Sequence, residues 1–212
     1  MGIIKRGILG GFAGKVANVV GSSWRGISYI KALPLSVANP RTEGQVNQRN
    51  KFTAVTQFLQ PNSAMVALGY KAYATGMTAR NAAFSYLIQN AITGTAPDFS
   101  VDPALALLSR GKLQKAVGQT AGYLSDELTV GWTANSTQFN ASPTDVAMVL
   151  AYNAAKKESV FVLEGITRAD ATAVLDIPTY FAGDEVEVYL AFRAADGSMV
   201  SDSVHVGTIT IE

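Results

Sequence analysis

The hydrophobic period of this chain changes twice, and each change limits what the segment after it can become. Residues 1–33 carry Gly2, Gly7, Gly10, Gly11, Gly14, Gly21 and Gly26, a density that would cost a helix about 1 kcal/mol per glycine relative to alanine. The start is therefore read as extended. Residues 15–20 and 24–30 predict two strands around a Gly21-Ser22-Ser23 turn. In the second strand Ile27, Tyr29 and Lys31 share one face, and Ser28 and Ile30 the other. That mixed pattern belongs to a strand contacted on both faces or paired with another chain.

From Thr42 the period becomes helical. Thr42 and Gln45 form a capping box, Val46, Phe52, Val55, Phe58 and Leu59 an apolar stripe, and Pro61 a stop. Further helices are expected over 63–74 and over 78–92, the latter from the spacing of Phe84, Leu87, Ile88 and Ala91. Residues 93–122, with Gly94, Pro97 and Pro103, read as a transition holding a short element at 104–108.

Beyond it the period is two. Leu128, Val130 and Trp132 alternate with small residues, as do Met148, Leu150 and Tyr152, and Val186, Val188, Leu190 and Phe192 alternate with Glu185, Glu187 and Tyr189. More strands are expected at 159–163, 171–177 and 203–211, with Asp196-Gly197 as a hairpin turn. About seven short strands in this span read as an antiparallel β-sandwich. The expected fold class is α+β: an N-terminal β-hairpin and about three helices, then an antiparallel immunoglobulin-like sandwich. The expected domains are 1–120 and 121–212.

The charges are sorted along the same line. Residues 1–120 hold thirteen basic and three acidic side chains, and the remainder four basic and thirteen acidic, so +10 faces −9 within a net charge of +1. Such a field favours an anionic partner for the first half or contact between copies. A hydrophobic fraction of 48% is ample for a packed core. The absence of cysteine excludes a disulfide scaffold, thiolate metal sites and a cysteine nucleophile. No apolar run approaches the roughly eighteen residues of a membrane helix. The run 7–13 is cut by Lys15 and lacks an Ala-x-Ala pattern, so no secretory signal is expected. Synthesis in the cytoplasm, with incorporation into a virion or extracellular assembly left open, is the expectation.

Catalytic and cofactor patterns are searched for and set aside, and no cofactor is expected. Gly14-Lys15 suggests a phosphate loop, but Val16 stands where Ser or Thr is needed and Leu9 where Gly is needed. His205, the single histidine, lies between Val204 and Val206 and is expected to face solvent with no serine nucleophile beside it. Asp126-Glu127 and Asp184-Glu185-Glu187 match no calcium-loop spacing, and Glu185 and Glu187 read as a solvated outer strand face. Basic residues interleaved with Trp24, Tyr29, Phe52, Tyr70 and Tyr73 suggest nucleic acid, but they form no run or known module. Asn135 and Asn140 match a glycosylation acceptor pattern and read as loop asparagines.

Two resemblances add to this. Leu128-Thr-Val-Gly-Trp132-Thr, Leu175-Asp-Ile-Pro178 and the run from Val186 to Gly197 resemble fibronectin type III and related immunoglobulin-like modules over about 122–212. The resemblance implies a core Trp in an early strand. Gly7-Ile-Leu-Gly-Gly-Phe-Ala-Gly-Lys-Val, Asn18-Val-Val-Gly-Ser-Ser-Trp-Arg-Gly26 and Asn39-Pro-Arg-Thr with Gln45 and Arg49 resemble an uncharacterised family common in Bacteroidota. That resemblance implies no activity. Asn-Pro-Arg-Thr followed by Gln and Arg is also similar to a pattern in uncharacterised phage virion proteins.

The expected function is that of a non-catalytic structural protein that self-assembles into, or decorates, a virion, tube or filament, with copies of itself or other structural proteins as partners. Its candidate assembly residues are Ile3, Ile8, Leu9, Phe12, Val16, Val19, Trp24, Ile27 and Tyr29. Its candidate charged contacts are Arg41, Arg49, Lys51, Glu185 and Glu187. The alternative is a binding module whose basic half grips nucleic acid or another anionic polymer.

Overall fold

Short glycine-spaced strands build the first of the two units into which the chain divides, Met1–Thr42 and Glu43–Glu212. The computed structural model describes residues 2–4, 11–24, 27–34, 36, 39–124 and 126–212. In the first unit β1 (Ile3–Ile4), β2 (Phe12–Val16), β3 (Val19–Trp24) and β4 (Ile27–Ala32) form one antiparallel sheet in chain order. The hairpin expected around Gly21-Ser22-Ser23 turns earlier, through Ala17-Asn18, because Val16 pairs with Val19. Gly21 lies inside β3, where a Cβ would fall on the Phe12 carbonyl. Glycine there permits close backbone approach and makes no turn.

The second unit opens with α1 (Glu43–Leu59), which ends before Pro61 as expected. Next come α2 (Ser63–Gly69) and α3 (Ala79–Asn90), the latter capped by the Thr78 hydroxyl, which accepts from Asn81 N–H at 3.1 Å. A hairpin the sequence reading missed follows, β5 (Ile92–Thr95) and β6 (Asp98–Val101). Seven strands complete the unit: β7 (Thr120–Leu124), β8 (Glu127–Gly131), β9 (Val146–Asn153), β10 (Glu158–Val162), β11 (Thr172–Asp176), β12 (Glu185–Arg193) and β13 (Val204–Thr210). They form two antiparallel sheets, β11-β8-β7 and β10-β9-β12-β13. The α+β class and the sandwich are as expected, and Trp132 packs in the core edge-on to Phe192, ring centroids 5.6 Å apart.

The domain boundary expected near residue 120 is not where the chain divides. The reason lies in β9 and β12, which are buried on both faces. Ala147, Val149, Val188 and Leu190 pack against the three-stranded sheet in one cluster. Met148, Leu150, Tyr152 and Tyr189 pack against Val55, Phe58, Leu59, Met65 and Leu87 in the other. The helices are thus a third layer on the sandwich. Phe58 meets Tyr152 edge-on at 5.2 Å, and the Tyr189 hydroxyl donates to the Pro103 carbonyl at 3.0 Å.

Residues 106–113 are the seam between these layers, and 104–108 form no helix. Arg110 N–H donates to the Gly69 carbonyl at the end of α2. On the other side Ser109 Oγ donates to the Ser201 carbonyl at 2.7 Å, Gly111 N–H to the Asp202 carboxylate and Leu113 N–H to the Val200 carbonyl. A Cβ at Gly111 would fall on the Val200 carbonyl. Only glycine admits the backbones at this separation.

At one end of the sandwich a charge is fully buried. Arg168 is 0% exposed. Its guanidinium donates to Asp145 Oδ2 at 3.0 Å, Asn135 Oδ1 at 2.6 Å and the Gln114 carbonyl at 2.7 Å, and lies 3.7 Å from the centre of the Phe192 ring. Its own carbonyl accepts from Trp132 Nε1 at 3.0 Å. Burial pulls its pKa down from the ordinary value and Asp145 opposes that pull. Removing one partner of a buried pair strands the other charge, at a cost of about 3–5 kcal/mol. R168A is expected to lose that much in urea unfolding. D145A plus R168A together should lose about 1–3 kcal/mol less than the summed single losses; strict additivity would overturn the coupling.

Candidate assembly surface

Among the described residues no apolar side chain before Val55 is fully buried. Among its described residues the N-terminal sheet therefore has strands but no buried apolar core. Ile3, Ile27 and Ile30 are 63%, 66% and 64% exposed, and Val16 and Tyr29 are exposed as well. Phe12 and Val19 are half-buried. Ile8 and Leu9 lie outside the described residues, as does the side chain of Trp24. Every residue of β4 is exposed, so Ile27 and Tyr29 on one face and Ile30 on the other all meet solvent. A sheet normally gains its stability from an apolar face packed on something else. Among the described strands β4 is the outer one, paired on one side with β3.

Divided at the unit boundary the charge separation is smaller than at residue 120, but the first unit is purely basic. Residues 1–42 carry six basic side chains and no acidic one, and residues 43–212 carry eleven basic and sixteen acidic, for +6 and −5. Arg41 closes the first unit, exposed and with a left-handed backbone at φ 47°. Arg49 and Lys51 lie on α1, where Lys51 Nζ sits 4.9 Å from the centre of the Phe99 ring.

Glu185 is exposed, but Glu187 is not on a solvated face. It shares the side of β12 that carries Tyr189 and Ala191 under the helices. Its carboxylate contacts His205 Nε2 at 2.6 Å and accepts from the Thr208 hydroxyl at 2.9 Å. The expectation of a solvent-facing His205 is corrected in the same way, since its side chain is 17% exposed. The cause is a bulge: Val188 pairs with Gly207 but Tyr189 pairs with His205, leaving Val206 extra. A bulge re-aims the side chains around it. Here it brings the His205 ring to 5.3 Å from that of Tyr189.

The aromatic residues suggested for base stacking are mostly occupied. Tyr70 is fully buried, its hydroxyl donating to the Leu107 carbonyl at 3.1 Å, and burial pushes its phenol well above the ordinary range. Tyr73 and Tyr86 flank the Arg110 guanidinium at 4.8 and 5.2 Å. Phe52 packs on Phe84 with centroids 4.8 Å apart. Among the described residues no three His, Asp or Glu side chains converge as a metal site would require, and no helix is long and apolar enough to cross a membrane.

A protein-family profile, described as a family of unknown function (DUF6266), matches residues 11–207. The chain belongs to the DUF6266 family. No curated protein matches it. The match runs from β2 into β13, so strands β2–β4 of the N-terminal sheet and the helix-covered sandwich are both part of the DUF6266 unit. The resemblance to an uncharacterised family, read from residues 7–49, agrees with this at the level of an uncharacterised family.

Sequence reasoning missed the asparagines that shape the far end of this DUF6266 chain. Asn135, read as a loop residue, accepts from Arg168 and donates to the Lys115 carbonyl at 3.2 Å. Asn140 accepts from Gln114 N–H at 2.9 Å and donates to the Lys112 carbonyl at 3.0 Å. The signal available was polar residues spaced through a loop between strands, which does not name partners in advance.

Three surface carboxylates lie below the ordinary aspartate value of 3.8. Asp170 is lowered by the Thr167 N–H and hydroxyl, Asp184 by Lys156 and Asn153, and Asp196 by the Ser198 hydroxyl and N–H. A carboxylate with a lowered folded pKa stabilises the fold above its unfolded value, and loses that contribution as pH falls through the folded one. Melting temperature is therefore expected to fall as pH drops below about 4, and D170N should flatten the fall. A melting temperature that rises on acidification through this range would overturn the assignment.

Proposed function

We propose that this protein is a non-catalytic structural subunit that self-assembles into, or decorates, a larger complex such as a virion, tube or filament, using its N-terminal sheet as the assembly element. The observation that carries the reading is a four-stranded sheet with exposed Ile3, Ile27 and Ile30 and no fully buried apolar side chain among its described residues. Burying an isoleucine contributes about 1.5–3 kcal/mol. A partner surface that covered these residues would bury the apolar side chains that the described part of this unit leaves exposed. A strand added along β4, the outer strand among those described, would extend the sheet by backbone hydrogen bonds.

Charge supports a second copy as the partner. A unit with six basic and no acidic side chains meets a unit of −5 in every other copy, and such complementarity steers encounter and fixes register. The patch on one unit and the receptor on the other make a heterologous contact, which generates rings or open filaments.

Sedimentation velocity of the full chain tests this. Species larger than the monomer should grow with concentration and shrink with added salt. The double variant Ile27→Ser and Ile30→Ser should weaken association by at least about tenfold, since each tenfold is about 1.4 kcal/mol. A chain that stays monomeric at low salt, or a double variant that associates like the natural sequence, would sink the proposal. A salt-steep shift of nucleic acid by the monomer would instead favour the anionic-polymer alternative.

A further inference from the structure

Phe139 is the most solvent-exposed of the large apolar side chains in the second unit, at 95%, and its backbone is left-handed at φ 48°. A bulky residue in that conformation is a true outlier, held only where its surroundings impose it. The surroundings are on both sides of it. Asn135 and Asn140 clamp the loop to the carbonyls of Lys115 and Lys112, and Asn135 is fixed in turn by buried Arg168. Gln138 N–H closes back on the Asn135 carbonyl at 3.1 Å and Ala141 N–H on the Gln138 carbonyl at 2.9 Å. A rigid loop thus holds one phenyl ring out in water.

The opposite end of the same unit has a groove of about 210 Å³ between α1 and the β5–β6 hairpin. Phe58, Phe99, Val101, Pro103 and Tyr152 supply its apolar lining, with Ala54 and Gln57 along the α1 wall. A cavity of about 150 Å³ suffices for a benzene ring. The groove cannot receive the Phe139 of its own chain. The loop is fixed beside Asp145 at the start of β9, whereas Tyr152 and Ala154 line the groove at its end. At about 3.3 Å per residue the eight residues of β9 separate them by more than about 20 Å.

We propose that Phe139 is a docking knob that seats in the α1/β5–β6 groove of a second copy of this chain, joining copies head to tail. Charge at the two ends fits. Exposed Lys112 and Lys115 flank the knob, whose neighbouring carboxylate Asp145 is neutralised by Arg168. Asp98, Glu158 and Glu187 border the groove and its continuation along α1, three carboxylates against Lys157 and the Lys51 ammonium over Phe99, with Glu187 also in contact with His205. A knob at one end and its hole at the other make a heterologous contact that need not close on itself, so it propagates. The contact rests on the assembly reading but uses no residue of the N-terminal sheet.

The chain has no cysteine, which makes disulfide trapping clean. Full-length T137C, with its thiol beside the knob, and full-length Q57C, with its thiol on the groove wall, are mixed, oxidised mildly and run on a non-reducing gel. A disulfide-linked dimer is expected from the mixture and only background from either variant alone. Adding Phe139→Ser to the T137C chain, with an unchanged thermal melt as the folding control, should lower the yield at least about tenfold. Equal yields from mixed and single variants, or a yield indifferent to F139S, would overturn the knob. If the cross-link fails while the Ile27/Ile30 variant still abolishes sedimentation of larger species, the sheet contact stands and only the knob falls. A specific cross-link with no effect of the Ile27/Ile30 variant gives the reverse.

Discussion

A guanidinium that cannot lose its charge has been folded into the interior next to Phe192, and the loops at that end are arranged around its donors. Arg168 is planar and forked, so its three hydrogen bonds point in fixed directions, and each fixes a different segment. Asp145 sets the entry to β9, Asn135 the loop that precedes it, and the Gln114 carbonyl the strand-like segment running back to the helices. Its carbonyl holds the Trp132 indole, so the polar node and the apolar core of the sandwich share one residue. Buried charge is costly unless partnered, and each nitrogen of this guanidinium has a partner on a different segment.

The same economy of partners explains why the helices belong to the sandwich. The strands β9 and β12 offer apolar side chains on both faces, so a two-layer sandwich would leave Met148, Leu150, Tyr152 and Tyr189 wet. Placing α1, α2 and α3 over them buries Tyr189 without breaking its hydrogen bond, because the Pro103 carbonyl reaches its hydroxyl. Burial pushes the Tyr189 phenol far above the ordinary range. It stays neutral, which is the state this layer tolerates.

Much of this was legible in local pattern. Pro61 ends α1, Thr78 caps α3, and the alternation of Val186, Val188 and Leu190 marks β12, because each signal acts within a turn or a strand. The hairpin β5–β6 was not legible: Ile92 continues the apolar spacing of α3, and four-residue strands carry little pattern. The third layer was written in Val146–Asn153, eight residues without a charge, which is the composition of a strand covered on both faces. The Arg168 node was out of reach, since its partners lie 23, 33 and 54 residues away. Of the candidate assembly residues, Ile3, Ile27 and Tyr29 are exposed, whereas the mixed faces of 27–31 were read as those of a strand contacted on both sides or paired with another chain. The placement of Glu187 depended on the helix layer over its face, and that of His205 on one extra residue in β13, neither of which alternation alone reveals.

The seam at residues 106–113 also sets an order of events during synthesis. Its anchors, from Leu108 to Ser203 and from Ser109 to Ser201, span 95 and 92 residues. Contacts of such separation form late because loop closure comes before their reward. The helices are made early yet lack their lid until nearly the last strand has left the ribosome, whereas the strand pairings of the N-terminal sheet all lie within residues 3–32. Under the proposed assembly, nascent chains held close on one messenger would present the sheet before any of them owns a finished body to receive it, and completion of the C-terminal strand would be the step that makes a subunit competent to accept its neighbour.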